Sequence, residues 1–327
     1  MPVVGTLNPT LADVAKRLDP DGKIADIVEL LAETNEILED MTFIEGNLPT
    51  GHRTTIRTGL PAAAWRMLNY GVQPSKSTTK QVDDTCGMLE AYAEVDKNLA
   101  DLNGNTAAFR LSEDRAFLEA VNQEMADTLF YGDTSKNPER FLGLAPRFST
   151  LNKTKAASAE NVINGGATTG SDNASIYLVG WGQNSIYGIY PKGSKAGFQH
   201  NDLGEVTLTD GNGGRYQGYR THYKWDIGLC VRDWRYVVRI ANIPKTIGST
   251  NLIDLMVEAS ELLPNLNGVR PVFYMNRTMR TNLRKQLANK SNVHLSLGEA
   301  AGKKVISFDE IPVRRCDALD FIEGVVS

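Results

Sequence analysis

The sequence is poor in the residue types that usually build a metal or redox centre. It has three cysteines and four histidines among 327 residues. Cys86, Cys230 and Cys316 lie far apart and form no Cys-x-x-Cys pair, and no two histidines have metal-ligand spacing. An odd number of distant cysteines predicts reduced thiols in place of a disulfide framework. We therefore expect no structural metal, no disulfide scaffold and no cofactor.

Motifs for covalent or phosphate chemistry are missing as well. The chain has neither G-x-x-x-x-G-K-[ST] nor G-x-S-x-G. The glycine-rich residues 210–215, DGNGGR, lie inside an alternating strand pattern, which predicts a hairpin turn. The acid pairs Asp83–Asp84 and Asp309–Glu310 are expected to be solvated, because nothing in the sequence places a proton acceptor beside them. No catalytic residue is predicted.

Long apolar runs are also absent. No stretch of 18 apolar residues occurs, and the first 22 residues lack the basic and apolar regions of a signal peptide. We therefore expect a soluble protein made in the cytoplasm, without membrane contact. Trp181, Trp225 and Trp234 lie in predicted strands, where core packing is favoured over a stacking platform for sugars or bases.

What the sequence does have is an uneven distribution of charge. Between Ile24 and Glu45 there are seven acids and no Lys or Arg, whereas between Gly46 and Val82 there are five cations and no acid. The acids are Asp26, Glu29, Glu33, Glu36, Glu39, Asp40 and Glu45, and the cations are Arg53, Arg57, Arg66, Lys76 and Lys80. Neighbouring segments of opposite charge favour docking within a chain or between copies of it.

The two charged segments have different predicted structures. Apolar residues at helical spacing predict an amphipathic helix over 22–40. Residues 46–82 are interrupted by glycine and proline and predict a long extended loop with a short strand at 54–58. A loop of this length inside a domain is usually functional or disordered. Trp65 and its apolar neighbours favour the functional interpretation.

The rest of the chain predicts an α+β protein. Ser112 as N-cap, a stripe from Phe117 to Phe130 and Gly132 as a stop predict a helix over 112–131. Residues 87–102 and 206–243 read as strands, and helices and strands alternate after residue 249. The last helix, capped by Asn276, has a basic face for which a solvated surface is favoured over weak contact with nucleic acid. That face consists of Arg277, Arg280, Arg284, Lys285 and Lys290.

Residues 24–79 carry a resemblance to a known family. The segment IADIVELLAETNEILEDMTFIEGNLPTGHRTTIRTGLPAAAWRMLNYGVQPSKSTT resembles the N-terminal third of major capsid (coat) proteins of tailed bacteriophages, in a branch from short-tailed phages. The order of elements along the whole chain is similar to that family too. The resemblance is most specific over residues 20–80.

The resemblance implies the tailed-phage coat fold. Its parts would be an N-terminal arm with the acidic helix (1–41), an extended loop (42–100), a peripheral domain and an axial α/β domain. The peripheral domain would take 101–149 and 191–244, with the spine helix at 112–131. The axial domain and C-terminal strands would take 150–190 and 245–327.

The resemblance also implies a function. The chain would form pentamers and hexamers of an icosahedral head in the virion, after assembly in the host cytoplasm. Scaffold and portal proteins, and a cement or decoration protein in shells that use one, would be further partners, and packaged double-stranded DNA would touch the inner face weakly. Some family members join neighbours by a Lys–Asn bond; Lys76 and Lys80 lie in the loop, but charge segregation favours non-covalent interlocking.

Contacts between subunits are then expected at two sets of residues. The loop would contribute Arg53, Arg57, Trp65, Arg66, Lys76 and Lys80, and the acidic helix Glu29, Glu33 and Glu36. The alternative is a carbohydrate- or nucleotide-processing enzyme using the C-terminal α/β segment. A sequence-specific DNA binder is disfavoured by the net charge of -4.

Overall fold

The computed structural model describes residues 9, 33, 35–102, 106–245, 250–266, 268–288, 295–300 and 303–327. Within these ranges the chain forms six α-helices and thirteen β-strands. The helices are α1 (Ile37–Asp40), α2 (Lys97–Ala100), α3 (Thr106–Tyr131), α4 (Leu144–Arg147), α5 (Leu252–Glu261) and α6 (Arg277–Ala288). Two 3-10 turns span Ala157–Asn161 and Trp234–Tyr236.

The first eight strands include the two longest hairpins. They are β1 (Phe43–Glu45), β2 (Gly51–Gly59), β3 (Thr78–Asp96), β4 (Val162–Asn164), β5 (Asn173–Trp181), β6 (Ile186–Tyr190), β7 (Gln199–Thr209) and β8 (Arg215–Val231). The remaining strands are β9 (Val237–Pro244), β10 (Arg270–Met275), β11 (Leu295–Ala300), β12 (Lys303–Phe308) and β13 (Ile311–Arg315).

All thirteen strands are joined by hydrogen bonds into one network. Its main order is β11-β12-β13-β10-β5-β6-β8-β3-β2, with β7 beside β8 and β9 beside β5. β5 lies at the centre, and every one of its nine residues is buried. A strand that is covered on both faces has a nearly continuous apolar sequence. The segment SIYLVGW within β5 is such a sequence.

The helices pack on both sides of the central strands, and a separate hydrophobic core lies on each side. On one side, Leu129 and Phe130 of α3 pack with Ile37 of α1 and with Tyr177 of β5. On the other side, α5 and α6 pack next to each other over Phe273 of β10. The helix predicted after Asn276 is confirmed, and the Asn276 side chain accepts a hydrogen bond from the Met279 amide at 2.8 Å.

The spine helix begins earlier than predicted. Helix α3 starts at Thr106, six positions before Ser112, and Ser112 is an interior residue whose buried hydroxyl has no partner among the described residues. The cause is Phe109, which is 3% exposed and packs with Val95 and Ala100. Burying this side chain outweighs the local preference of serine for a cap. The predicted end is correct, since the helix ends at Tyr131 and Gly132 follows.

Two other predicted elements need correction. The helix predicted over 22–40 is interrupted at Asn35, which forms an antiparallel bridge with Cys316, and Ile37–Asp40 is the helical part among the described residues of this range. Residues 22–32 lie outside the described residues. The strand predicted over 87–102 instead runs from Thr78 to Asp96 and is followed by α2, whose first turn is capped by the Asp96 carboxylate.

The C-terminal segment lies against the fold with Glu323 and Val326 buried and Ile322 and Val325 exposed. Val326 donates its amide to Asn242 Oδ1 at 2.7 Å, and the Ser327 carbonyl accepts from Thr150 Oγ1 at 2.7 Å. Glu323 pairs with Arg239 of β9 at 2.7 Å, and both side chains are about one-twentieth exposed. The tail therefore fastens β9 and the segment after α4 to one another.

Among the helices that the structure describes, none has both the length and the hydropathy that crossing a membrane requires. The domain boundaries inferred from the resemblance remain predictions.

Candidate intersubunit surface

The basic loop of the sequence is a long projecting hairpin. β2 and β3 pair in antiparallel register from Gly51↔Thr85 to Gly59↔Thr78. Nine strand residues extend about 30 Å at 3.3 Å per residue. Every residue from 60 to 80 is exposed. The predicted extended loop is therefore an ordered two-stranded arm whose far end has no cover from the described parts of its own chain.

The far end of the hairpin, residues 60–77, is called the hairpin tip below. It carries six exposed apolar side chains: Leu60, Trp65, Met67, Leu68, Tyr70 and Val72. Trp65 is 105% exposed and Leu68 is 83% exposed. Asn69 takes a left-handed backbone with φ of 68°, in a turn closed by the Tyr70 amide on the Met67 carbonyl at 3.2 Å. Exposed apolar clusters of this kind mark surfaces that bind another molecule.

Arg53 differs from the other cations of the hairpin because it already has a partner. Its Nε and Nη2 donate to the two carboxylate oxygens of Asp83 at 2.6 and 2.7 Å. The two residues are opposite each other in the β2–β3 register. The hydrogen bond from Arg53 lowers the pKa of the Asp83 carboxyl. Arg53 therefore stabilises its own hairpin, a role that charge counting along the sequence does not reveal.

The other cations of the hairpin are exposed and have no carboxylate partner among the described residues. These are Arg57, Arg66, Lys76 and Lys80. Arg57 lines an open cleft of about 550 Å³ between β2 and the 3-10 turn, together with Arg232 and Trp234. The hairpin thus presents positive charge and aromatic surface on the same projecting arm.

The base of the hairpin is fixed to the core by a buried ion pair. Asp84 of β3 is 4% exposed and accepts a hydrogen bond from Arg147 Nη2 at 2.7 Å. The same guanidinium group donates to the Leu229 carbonyl at 3.2 Å. Asp84 was expected to be solvated, and that expectation is wrong, because strand alternation turns it inward while its neighbour Asp83 faces solvent.

Gly51 permits this close approach of the strands. A Cβ atom at that position would lie 2.1 Å from the Asp84 carbonyl oxygen, so only glycine fits there.

His52 forms a second attachment at the hairpin base. Its Nδ1 accepts from the Asn47 amide at 3.3 Å, and its Nε2 lies 3.1 Å from the Tyr187 hydroxyl. Because Nδ1 is an acceptor, the neutral ring carries its proton on Nε2 and donates to Tyr187. Burial lowers the pKa of His52, with Asp84 opposing and Arg232 reinforcing the shift.

Acidification is expected to weaken this attachment. Protonation of Nδ1 removes the acceptor of the Asn47 amide and places a charge in a partly buried site. Since the pKa is lowered in the folded state from 6.5, the contribution of His52 is complete above that value and is lost as the pH falls below it. Urea unfolding of the unassembled subunit at about pH 7.5 and about pH 5.5 measures this loss.

The matched control is His52→Gln, which cannot gain the proton. The pH dependence between these two values should be smaller for this variant than for the original chain. Equal pH dependence in both would contradict the assignment.

The acidic segment is partly used within its own chain. Arg314 of β13 reaches both Glu36 Oε2 at 3.3 Å and Asp40 Oδ1 at 3.1 Å. The Glu33 amide donates to Glu119 of α3 at 2.8 Å. Of the predicted acidic contacts, Glu36 therefore has a charged partner in the subunit, Glu33 is partly buried, and Glu29 lies outside the described residues.

The surroundings of Trp181 and of the Cys86 thiol are those of structural residues. Trp181 is 1% exposed and donates its indole N–H to the Tyr274 hydroxyl at 2.8 Å, so the core interpretation is correct for it. Burial raises the pKa of the Cys86 thiol to about 11. Within the described ranges no group of three His, Cys, Asp or Glu residues is arranged to hold a metal ion.

A layered α+β body with a long projecting hairpin, whose tip is apolar, basic and not covered by the described residues, is typical of a subunit that assembles with other protein chains. A family model described as "Major capsid protein GP7" matches residues 19–327, and the chain belongs to this family. It is a structural component of the phage head, in the virion, and the enzyme alternative is set aside.

Solved structures agree with this assignment. A chain in the near-atomic-resolution structure of bacteriophage Epsilon15 is 40% identical, with 100% of both chains covered and a TM-score of 0.76. The bacteriophage JBD30 capsid is 11% identical, with 89% of this chain and 93% of that chain covered and a TM-score of 0.52. The second likeness shows the fold alone. No curated protein sequence matches this chain.

Proposed function

We propose that this capsid protein interlocks with its neighbours non-covalently, with the hairpin tip lying over an adjacent subunit. The observation that carries the proposal is the tip itself, where Trp65 and Leu68 are almost fully exposed beside cations that have no carboxylate partner in the described part of the chain. Interface cores are enriched in aromatic residues, methionine and arginine, and all of these are present at the tip. Monomeric proteins rarely leave such a set in solvent.

The surface that receives the hairpin is proposed to be acidic. The candidates are Glu29, Glu33 and Glu36 of a neighbouring copy, because the acidic and basic segments are complementary in charge. The pairing of Glu36 with Arg314 does not remove this role, since Arg314 also serves Asp40 and the segment holds seven acids in all. Heterologous contacts of this kind close into rings and shells.

The finer assignments follow from the resemblance. We propose pentamers and hexamers in an icosahedral head, assembled in the host cytoplasm with a scaffold and a portal, and with a cement protein where the shell needs one. The phage is proposed to be short-tailed, and packaged double-stranded DNA is proposed to meet the inner face weakly. The domain boundaries are those given above, with the spine helix extended to Thr106–Tyr131.

Charge reversal at the hairpin tests the docking step. Arg53→Glu with Arg57→Glu is expected to reduce the yield of closed particles at least tenfold, because like charges placed opposite each other cost several kcal/mol per contact. The subunit should stay soluble. Particle yield is measured by electron microscopy and light scattering.

Arg53 requires a control because it pairs with Asp83 in its own hairpin. Arg57→Glu alone leaves that pair intact and should still block assembly. Lys153→Glu, at an exposed position away from the hairpin, should assemble normally. Normal shells from the Arg57→Glu variant would overturn the docking proposal.

A further inference from the structure

Helix α6 carries a basic face that the interlocking of subunits does not use. Its sequence RTMRTNLRKQLA holds four cations and no acid, in a chain whose net charge is -4. At 3.6 residues per turn, Arg277, Arg280, Arg284 and Lys285 fall within an arc of about 140°. The opposite side of the helix is apolar, where Met279 and Leu283 are completely buried.

None of these four cations forms an ion pair with a carboxylate of the described residues, although the charge of Glu36 acts on Arg280. The nearby Arg314 and Arg315 are neutralised by carboxylates, Arg314 by Glu36 and Asp40 and Arg315 by Asp317. By contrast, the charges of α6 crowd one another. Burial lowers the pKa of Arg280, and the neighbouring charges of Arg284, Arg315 and Arg314 lower it further while Glu36 alone opposes them.

The basic face differs in composition from the hairpin tip. Its exposed residues are Arg277, Thr278, Thr281, Arg284 and Lys285, and no large apolar side chain is exposed between 277 and 286. Interfaces between protein subunits have apolar or aromatic centres. A surface of arginine, lysine and hydroxyl groups without such a centre matches the groups that contact nucleic-acid phosphates.

We propose that the face of α6 formed by Arg277, Arg280, Arg284 and Lys285 binds the phosphate backbone of duplex DNA. This inference rests on the proposed function, because it assigns the weak contact with the packaged genome to a particular helix. From Arg277 to Arg284 the helix rises about 10 Å. That length equals about three rises of 3.4 Å along the duplex axis, each of which brings one phosphate of a given strand. The contact is independent of sequence, since no base edge need be reached.

The test is the salt dependence of DNA binding. Arg277→Gln, Arg284→Gln and Lys285→Gln are combined, and the half-buried Arg280 is kept. Binding of the unassembled full-length subunit to a fluorescent duplex is measured by anisotropy between about 50 and about 200 mM salt. Each lost phosphate contact changes the slope of log K against log salt by about 0.9, so three contacts should make it shallower by about 2.7. Over this range the original chain should lose roughly 40-fold more affinity than the variant.

A matched control has the same loss of charge elsewhere. Lys153→Gln, Lys155→Gln and Lys192→Gln remove three exposed cations from outside α6 and should leave the slope almost unchanged. An equal change of slope in both variants would show a general charge effect and overturn the proposal. If the α6 variant does not fold, Arg284→Gln with Lys285→Gln is used, with an expected change of about 1.8.

Particle formation separates this proposal from the proposed function. The α6 variant should still form closed shells. If it stops forming shells while its DNA affinity is unchanged, the face is a contact between copies and the DNA assignment is wrong. If the original chain binds DNA with the expected slope but never forms shells, the interlocking proposal fails and the DNA assignment stands.

Discussion

Replacing Glu323 with alanine is expected to lower the free energy of unfolding of the unassembled subunit by about 3–5 kcal/mol. Glu323 is the counter-charge of Arg239, and both lie in the core with side chains 6% and 5% exposed. The carboxylate also accepts hydrogen bonds from the Tyr131 hydroxyl at 2.8 Å and from the Ser175 hydroxyl. The substitution leaves a buried guanidinium charge and two hydroxyl groups without this acceptor.

Position in the fold makes the loss larger than the pair alone suggests. Glu323 is in the C-terminal segment, Arg239 in β9 and Tyr131 at the end of α3, so one carboxylate joins three separate parts of the chain. Arg239 also donates to the Phe148 carbonyl at 2.8 Å. Burial and the adjacent Glu323 charge raise the pKa of Tyr131 far above its ordinary value, which keeps its hydroxyl a donor.

Two comparisons make the measurement decisive. Arg235→Ala removes the arginine of the Asp233 pair, whose side chain is 56% exposed, and keeps the bond from the residue 235 amide to the Asp233 carboxylate. It should cost no more than about 1 kcal/mol because solvent screens the pair. The double variant Glu323→Leu with Arg239→Met removes both charges and should be more stable than Glu323→Ala. The free energy of unfolding is measured with urea. If Glu323→Ala lowers it by no more than about 1 kcal/mol, the Glu323–Arg239 pair is not a main contact holding the C-terminal segment.

The elements that the sequence predicted well are those whose burial pattern is local. The stripe of α3 repeats at helical spacing, although its Leu118 is 44% exposed. The apolar run of β10 is continuous and short, and its last four residues are buried. Both patterns can be seen without knowing what covers them. The start of α3 was missed because Phe109 packs with Val95 of β3 and Ala100 of α2, contacts that the pattern of the helix itself does not show. Ser112 has the residue type of a cap but not the position of one.

The charged contacts could be predicted only in part, for a related reason. Segregation of acids and cations is visible along the chain, and exposure of the hairpin tip follows from its glycines and prolines. Which carboxylate a given arginine meets depends on the folded register. Arg53 meets Asp83 across a hairpin, while Glu36 meets Arg314 from 278 positions away. Asp83 and Asp84 show the limit most clearly, since adjacent identical residues have opposite environments.

Removing the apolar anchors of the hairpin tip is expected to have the largest effect on assembly. In the double variant Trp65→Ala with Leu68→Ala, association between subunits should weaken by at least roughly 30-fold per contact. This factor corresponds to about 2 kcal/mol for the loss of a hot-spot residue. In the proposed interlocking each subunit both gives and receives a hairpin, so the losses should accumulate, and closed particles should be undetectable by electron microscopy at concentrations where the original chain assembles.

The same variant should fold as the original chain does, because Trp65 and Leu68 are 105% and 83% exposed and so contribute little packing within their own subunit. Its thermal unfolding midpoint, measured on the unassembled subunit, is therefore expected to be unchanged. Leu266→Ala, at another exposed apolar position that is 53% exposed, is the matched control and should assemble. Unimpaired shells from the double variant would show that the hairpin tip is not the anchor. A tip that is dispensable for folding but required for assembly would establish that this surface exists for the neighbouring subunit.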